Sequence, residues 1–235
     1  MKVVTFQGTK NMQVKEVEDP KLQKNEDIIV HITSTAICGS DLHIYQGALP
    51  AHKDYVLGHE PMGIVEEVGP DVTKVKRGDR VVLPFNISCG HCFYCTHDME
   101  SQCDNSNRNP HYDTGGYFGF TERYGDYQGG QAEYLRVPYG NFMPFVIPES
   151  AELEDEAVLF LSDVLPTAWW SVDNSGVKPG DTVVVLGCGP VGLMTQKFAW
   201  MKGAKRVIAV DELPYRMEHA KKNQQCGSCR FYQAR

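Results

Sequence analysis

One run constrains the fold of this 235-residue chain more than any other: Thr182-Val-Val-Val-Leu186, then Gly187-Cys-Gly189-Pro-Val-Gly192. Five consecutive apolar or β-branched residues read as a buried parallel strand. The glycines that follow have the spacing G-x-G-x-x-G. An isolated match of this kind is weak. Here a helix-like stretch runs to Gly203, a second apolar run spans Arg206–Val210, and Asp211 stands 19 positions after Gly192. That context reads as a dinucleotide-binding βαβ unit. Gly187 permits the tight turn, Gly189 lets a pyrophosphate approach the backbone, and Gly192 lets the helix pack on the strand. The helix N-terminus offers free N–H groups to the phosphates. Asp211 is placed to accept the ribose hydroxyls. Its carboxylate repels a 2′-phosphate, so NAD is expected over NADP. The plainer reading is a glycine-rich turn in an ordinary α/β fold, with Cys188 a small packed residue.

The cysteines carry the second signal. Cys89-Gly-His-Cys92-Phe-Tyr-Cys95 is followed by Cys103 after seven intervening residues. Three cysteines spaced this way on a turning loop can converge, and a fourth closes a tetrahedral thiolate shell suited to structural zinc. Disulfides are the alternative, but such crowding gives poor disulfide geometry. A zinc-ribbon nucleic-acid module is disfavoured by the acidic flank His97-Asp98-Met99-Glu100. It is also disfavoured by a formal net charge of -7, since neutralising phosphates needs clustered Lys and Arg.

Composition changes near Glu149. Before it, Val3–Phe6, Ile28–Ile32, Gly63–Gly69, Lys76–Leu83 and Glu133–Val137 read as short strands among turn glycines, which fits an antiparallel barrel. Residues 105–130, rich in Gly, Asn, Tyr and Asp, read as a long loop. After it, Glu154–Leu161, Pro166–Asn174 and Pro214–Asn223 are helix-like. We therefore expect two domains, 1–153 and 154–235. No run reaches the roughly 18–20 apolar residues of a membrane helix, and the N-terminus lacks a signal-peptide core. A cytoplasmic protein with no membrane or nucleic-acid partner is expected.

Taken together, four motifs resemble the zinc-dependent medium-chain alcohol dehydrogenases. They are Cys38-Gly-Ser-Asp-Leu-His43, Gly58-His59-Glu60-Pro-Met-Gly63, the four-cysteine lobe and the Gly187 fingerprint. Within that family, Phe160-Leu-Ser-Asp163-Val-Leu-Pro166 resembles most the glutathione-independent formaldehyde dehydrogenases. The resemblance implies a mixed α/β chain: a GroES-like β-barrel catalytic domain, then a doubly wound Rossmann domain. It implies a catalytic zinc on Cys38, His59 and Asp163, with Glu60 beside it, and a structural zinc on Cys89, Cys92, Cys95 and Cys103. Many relatives carry cysteine where Asp163 stands, so this metal would be a harder Lewis acid. Ser40 matches the hydroxyl that takes the substrate proton, and His43 the outer end of that relay. The implied reaction moves a hydride between NAD and a small alcohol or aldehyde, formaldehyde among them. Taken singly, Cys38 and His59 are ordinary core residues, Asp163 a helix cap, Ser40 a turn cap and His43 a surface histidine.

A doubly wound domain needs about six parallel strands, and the sequence displays two. The tail after Asn223 shows no third-strand pattern, and Cys226 and Cys229 form a CxxC without partner ligands. A chain shortened at its C-terminus is expected. The resemblance implies homo-oligomers for the full-length family members. Two rival readings are an inactive zinc-binding remnant that cannot hold NAD and a zinc-independent quinone reductase. Cys38, His59, the cysteine lobe and Asp211 disfavour the second.

Overall fold

Ile28, Ile29 and Val30 are apolar on both sides of the pleat, and such a run is stable only inside a sheet. The computed structural model describes residues 1–223 and 229–232 and divides into two compact units, Met1–Ser162 and Asp163–Arg235. In chain order the first unit carries β1 (Lys2–Gly8), β2 (Asn11–Glu16), β3 (Ile28–Thr35), α1 (Gly39–Tyr45), β4 (Tyr55–Val56), β5 (Pro61–Val68), β6 (Arg80–Val82), β7 (Asn86–Ile87), β8 (Gly116–Tyr117), β9 (Tyr134–Val137), β10 (Phe145–Val146) and α2 (Asp155–Val158). A five-stranded sheet has the order β10-β6-β5-β3-β9, and its pairings are antiparallel. A second sheet has the order β2-β1-β4, and β7 pairs with β8.

The antiparallel strands agree with the sequence reading. Strand β2, a mostly exposed edge, carries only Met12 and Val14 as alternating apolar residues and was not among the expected strands. The core gathers Ile28, Val30, Val65, Val81, Leu83, Leu135 and Val137 from the large sheet with Ile87 and Phe118 from the segments beyond it. A charged pair lies beside this core. Asp27 is fully buried, accepts the Gln23 and Lys24 N–H groups, and pairs with Arg136 at 2.7 Å. Removing one partner from such a pair leaves an uncompensated buried charge.

Strands β3 and β5 approach unusually closely at Gly63. A Cβ there would lie 2.0 Å from the His31 carbonyl oxygen. Only glycine accommodates that spacing without moving the backbone.

The second unit carries α3 (Val164–Asn174), β11 (Thr182–Leu186), α4 (Pro190–Met201), β12 (Arg206–Val210), α5 (Pro214–Asn223) and β13 (Cys229–Tyr232). Its sheet is parallel, in the order β11-β12-β13. Two expectations are corrected here. The tail does supply a third strand, Cys229–Tyr232, which pairs with Val207–Val210. Four residues are too few to show periodicity, and pairing on an existing strand overrides weak local preference. Strand β11 is not buried on both faces either: Val184 and Leu186 are 56% and 80% exposed. Cys226 lies outside the described residues. No helix among the described residues is long and apolar enough to cross a membrane.

The expected boundary at 153/154 and the division at 162/163 differ by nine residues, and α2 accounts for the difference. The Asp155 carboxylate accepts the Thr33 and Ser34 hydroxyls and is bound by Arg80, all in the first unit.

Gly63→Ala is expected to force β3 and β5 apart at a cost of about 1–3 kcal/mol. Thermal unfolding followed by circular dichroism should show a midpoint lowered by several degrees. An unchanged midpoint would show that the strands have room to spare.

Candidate functional site

The pairing of β3 with β5 ends at Thr35 against Pro61, and the Ala36 N–H donates to the Glu60 carbonyl at 3.2 Å. Cys38 lies just past one strand, and His59 and Glu60 just before the other. Their ligand atoms come within 4.8 Å of one another. His59 and Glu60 are 3% and 1% exposed. Cys38 occupies the N-cap of α1, and its N–H donates to an Asp41 carboxylate oxygen at 2.8 Å. The other Asp41 oxygen stands 3.6 Å from His59 Nδ1. A buried carboxylate this near the imidazole is the kind of neighbour that metal-binding histidines usually have. Thiol, imidazole and carboxylate donors therefore converge, a set that fits zinc.

Ser40 is half-buried in the first turn of α1, and His43 is exposed one turn on. The i, i+3 spacing puts them on one helix face. Asp163 opens the second unit, directly after Ser162. It stands at the N-terminus of α3 and accepts the Thr167 hydroxyl at 2.7 Å, with no side-chain bond to a helix N–H.

The cysteine lobe assembles as expected. All six cysteines in residues 1–223 are free thiols. Cys89, Cys92, Cys95 and Cys103 bring their sulfurs within 4.8 Å of one another. The Cys89–Cys95 and Cys92–Cys103 separations are 4.0 and 3.9 Å. Metal–sulfur bonds of about 2.3 Å give a tetrahedral edge of about 3.8 Å, so the lobe fits a four-thiolate metal. The Cys89 N–H donates to Cys103 Sγ at 3.3 Å, and Asn105 Nδ2 donates to Cys89 Sγ at 3.3 Å. Burial would push Cys92 up, but the Cys95 and Asp104 backbone N–H groups outweigh it and bring that thiol to about 6. Burial pushes Cys95 up to about 12.

In the second unit the three glycines behave differently from one another. Gly187 has φ +98°, and its N–H donates to the Val210 carbonyl at 2.8 Å. A Cβ on Gly192 would lie 2.0 Å from the Gly187 carbonyl oxygen, so this glycine serves internal packing. A Cβ on Gly189 would meet nothing within 4 Å. Asp211 accepts the Leu213 N–H at 2.9 Å and the Cys188 N–H at 2.8 Å. These bonds hold its carboxyl below the usual range. Arg216 stands 3.9 Å away.

The sequence profile of the alcohol dehydrogenase GroES-like domain matches residues 24–149. The chain belongs to the zinc-type alcohol dehydrogenase family. It is 62% identical over 223 residues to an uncharacterised zinc-type alcohol dehydrogenase-like protein of Bacillus subtilis, covering 94% of this chain and 58% of the relative. It is 39% identical to a glutathione-independent formaldehyde dehydrogenase of Pseudomonas aeruginosa, covering 93% and 56%. The structure of an alcohol dehydrogenase from Thermus sp. ATN1 superposes with a TM-score of 0.89 at 38% identity, covering 99% of this chain and 63% of that one. The chain thus spans less than two thirds of the length of these relatives. The expected GroES-like domain followed by part of a Rossmann domain is what the fold displays.

Three parts of this alcohol dehydrogenase fold were not assigned from the sequence. Asp41 lay inside the Cys38 motif, and its position three residues into a helix marks it as a cap. An aromatic wall around His59 comes from distant segments: Phe120 meets the ring at 5.8 Å and Phe85 at 6.3 Å, both edge-on. Tyr117 and Tyr124 stack behind them at 4.3 Å. The clustered Tyr and Phe of residues 105–130 were its visible trace. The loop is also clasped from outside, where His52 Nε2 meets the Asp126 carboxylate at 2.8 Å.

The Lys53 carbonyl on its other nitrogen, with the Asp126 carboxylate, raises the His52 pKa above the usual histidine value. A raised folded-state value stabilises fully below the unfolded value of about 6.5 and is lost as pH rises through the folded value. Both groups are nearly half exposed, so the effect should stay under about 1 kcal/mol. His52→Gln should therefore lower the thermal midpoint most near about pH 6 and progressively less as pH rises. A deficit that grows with pH would contradict the clasp.

Proposed function

We propose that this chain carries the zinc centre and part of the NAD site of an oxidoreductase that interconverts small primary alcohols and aldehydes. The observation that carries the reading is the convergence of Cys38, His59 and Glu60 with buried Asp41 behind the imidazole. In this reading Cys38, His59 and Asp163 are the three ligands and Glu60 stands beside them, which leaves a fourth position open for substrate, as catalytic zinc requires. Zinc there supplies a Lewis acid that lowers the pKa of a hydroxyl group, and NAD supplies the hydride acceptor.

The residues of the chain do the rest. Ser40 accepts the substrate proton, and His43, exposed on the same face of α1, passes it to solvent. Asp41 keeps the His59 ring in one tautomer and orientation. Phe85 and Phe120 keep water from the hydride path and leave room for a small substrate. The likeness to a formaldehyde dehydrogenase supports formaldehyde, or its hydrate, as one such substrate. Asp211 selects NAD by repelling a 2′-phosphate. The metal of the lobe is structural, because four thiolates leave no position open.

Two outcomes test this reading. Cys38→Ser should abolish NADH formation from small alcohols and remove one zinc while the lobe keeps the other, as read by elemental analysis. Activity retained after that zinc is lost would sink the assignment. In the second unit, Gly189→Ala should leave the thermal midpoint unchanged and weaken NAD at least about tenfold, since the backbone no longer approaches the pyrophosphate. Gly192→Ala should instead lower the midpoint by about 1–3 kcal/mol of stability. Calorimetry and nucleotide titration separate the two. Equal nucleotide affinity in the Gly189 variant would remove the pyrophosphate from this turn.

A further inference from the structure

Tyr55 is fully buried and packs with Phe6, Ile44 and Leu57, yet its hydroxyl is doubly engaged. It donates to the Tyr127 carbonyl at 2.6 Å and accepts the Thr121 N–H at 3.2 Å. Gly119 donates its N–H to the same carbonyl at 2.9 Å. The phenol therefore closes a loop from outside its own segment, across 66 and 72 residues of sequence. Thr121 has φ +148°. A β-branched residue keeps such a backbone only where its surroundings impose it, at about 1–3 kcal/mol. The residue just before it is Phe120, whose ring stands at 90° to the His59 imidazole. Phe120 also packs on Tyr117 and Tyr124, which joins it to the rest of the aromatic wall. Burial raises the Tyr55 pKa, so the donor stays protonated at working pH.

We propose that Tyr55 is a positioning residue: its hydroxyl holds Phe120 against the His59 centre and thereby limits the size of the alcohol admitted there. The proposal rests on the reading of that centre as the substrate site. Without the hydroxyl, the Thr121 N–H loses its acceptor, the strained backbone relaxes, and Phe120 is free to turn away from His59. Nothing in the zinc ligand set changes, so metal content is unaffected.

The test uses the whole chain loaded with ¹¹³Cd, whose NMR resonances report each centre without turnover. Ethanol and benzyl alcohol are titrated against the Cys38 centre, in the unsubstituted protein, Tyr55→Phe, Phe120→Ala and the double variant. Ethanol should bind all four similarly. Benzyl alcohol should bind Tyr55→Phe about fivefold more tightly relative to ethanol, the worth of one neutral hydrogen bond. Phe120→Ala should do at least as much, and the double variant no more than Phe120→Ala alone. An unchanged preference in Tyr55→Phe, or additive effects in the double variant, would overturn the positioning role. If neither alcohol moves the resonance in the unsubstituted protein, the substrate reading itself fails and the size limit falls with it.

Discussion

The close antiparallel contact between β3 and β5 is the constraint on which the first unit depends. It places Thr35 opposite Pro61 and lets the Ala36 N–H reach the Glu60 carbonyl. Cys38 and His59 are 21 residues apart in sequence, and each lies within three residues of this seam. Gly63 sets how near the strands can come, because no side chain fits against the His31 carbonyl. The candidate donors Cys38, His59 and Glu60 are therefore positioned by backbone pairing, with buried Asp41 accepting the Cys38 N–H beside them. A site built this way costs little to order when a ligand arrives.

The second unit reaches a comparable end with opposite logic at neighbouring glycines. Gly192 is filled by the chain itself, while the space beside Gly189 is left open. A fold needs the first for packing; the second is free for a phosphate. Asp211 joins the two strands' loops by accepting the Cys188 N–H, so in the proposed NAD site the acid read as the ribose acceptor would also fix the glycine turn. Strand β13 extends this sheet by parallel pairing with β12.

Legibility in the sequence followed the range of the interactions. Strand β11, helix α4 and strand β12 were readable because their periodicity and glycines are local. The cysteine lobe was readable because four sulfurs lie within 15 residues. Strand β2 escaped because its alternation is limited to Met12 and Val14 on a mostly exposed edge. Strand β13 escaped because pairing with β12, not its own four residues, makes it a strand. The aromatic wall escaped for a similar reason: Phe85 and Phe120 meet His59 only after β7 and β8 pair. Tyr55 gave no signal at all, since a tyrosine in an apolar run reads as packing until its hydroxyl partners are seen.

The proposal rests on two separate donor sets, one built on the β3–β5 seam and one in the cysteine lobe, each holding a metal, and on a nucleotide turn in the second unit that binds NAD. A native mass spectrum of the purified chain, recorded with and without NAD, addresses it most directly. The account predicts two zinc ions per chain and one added NAD. A chain carrying a single zinc, or none, would contradict it.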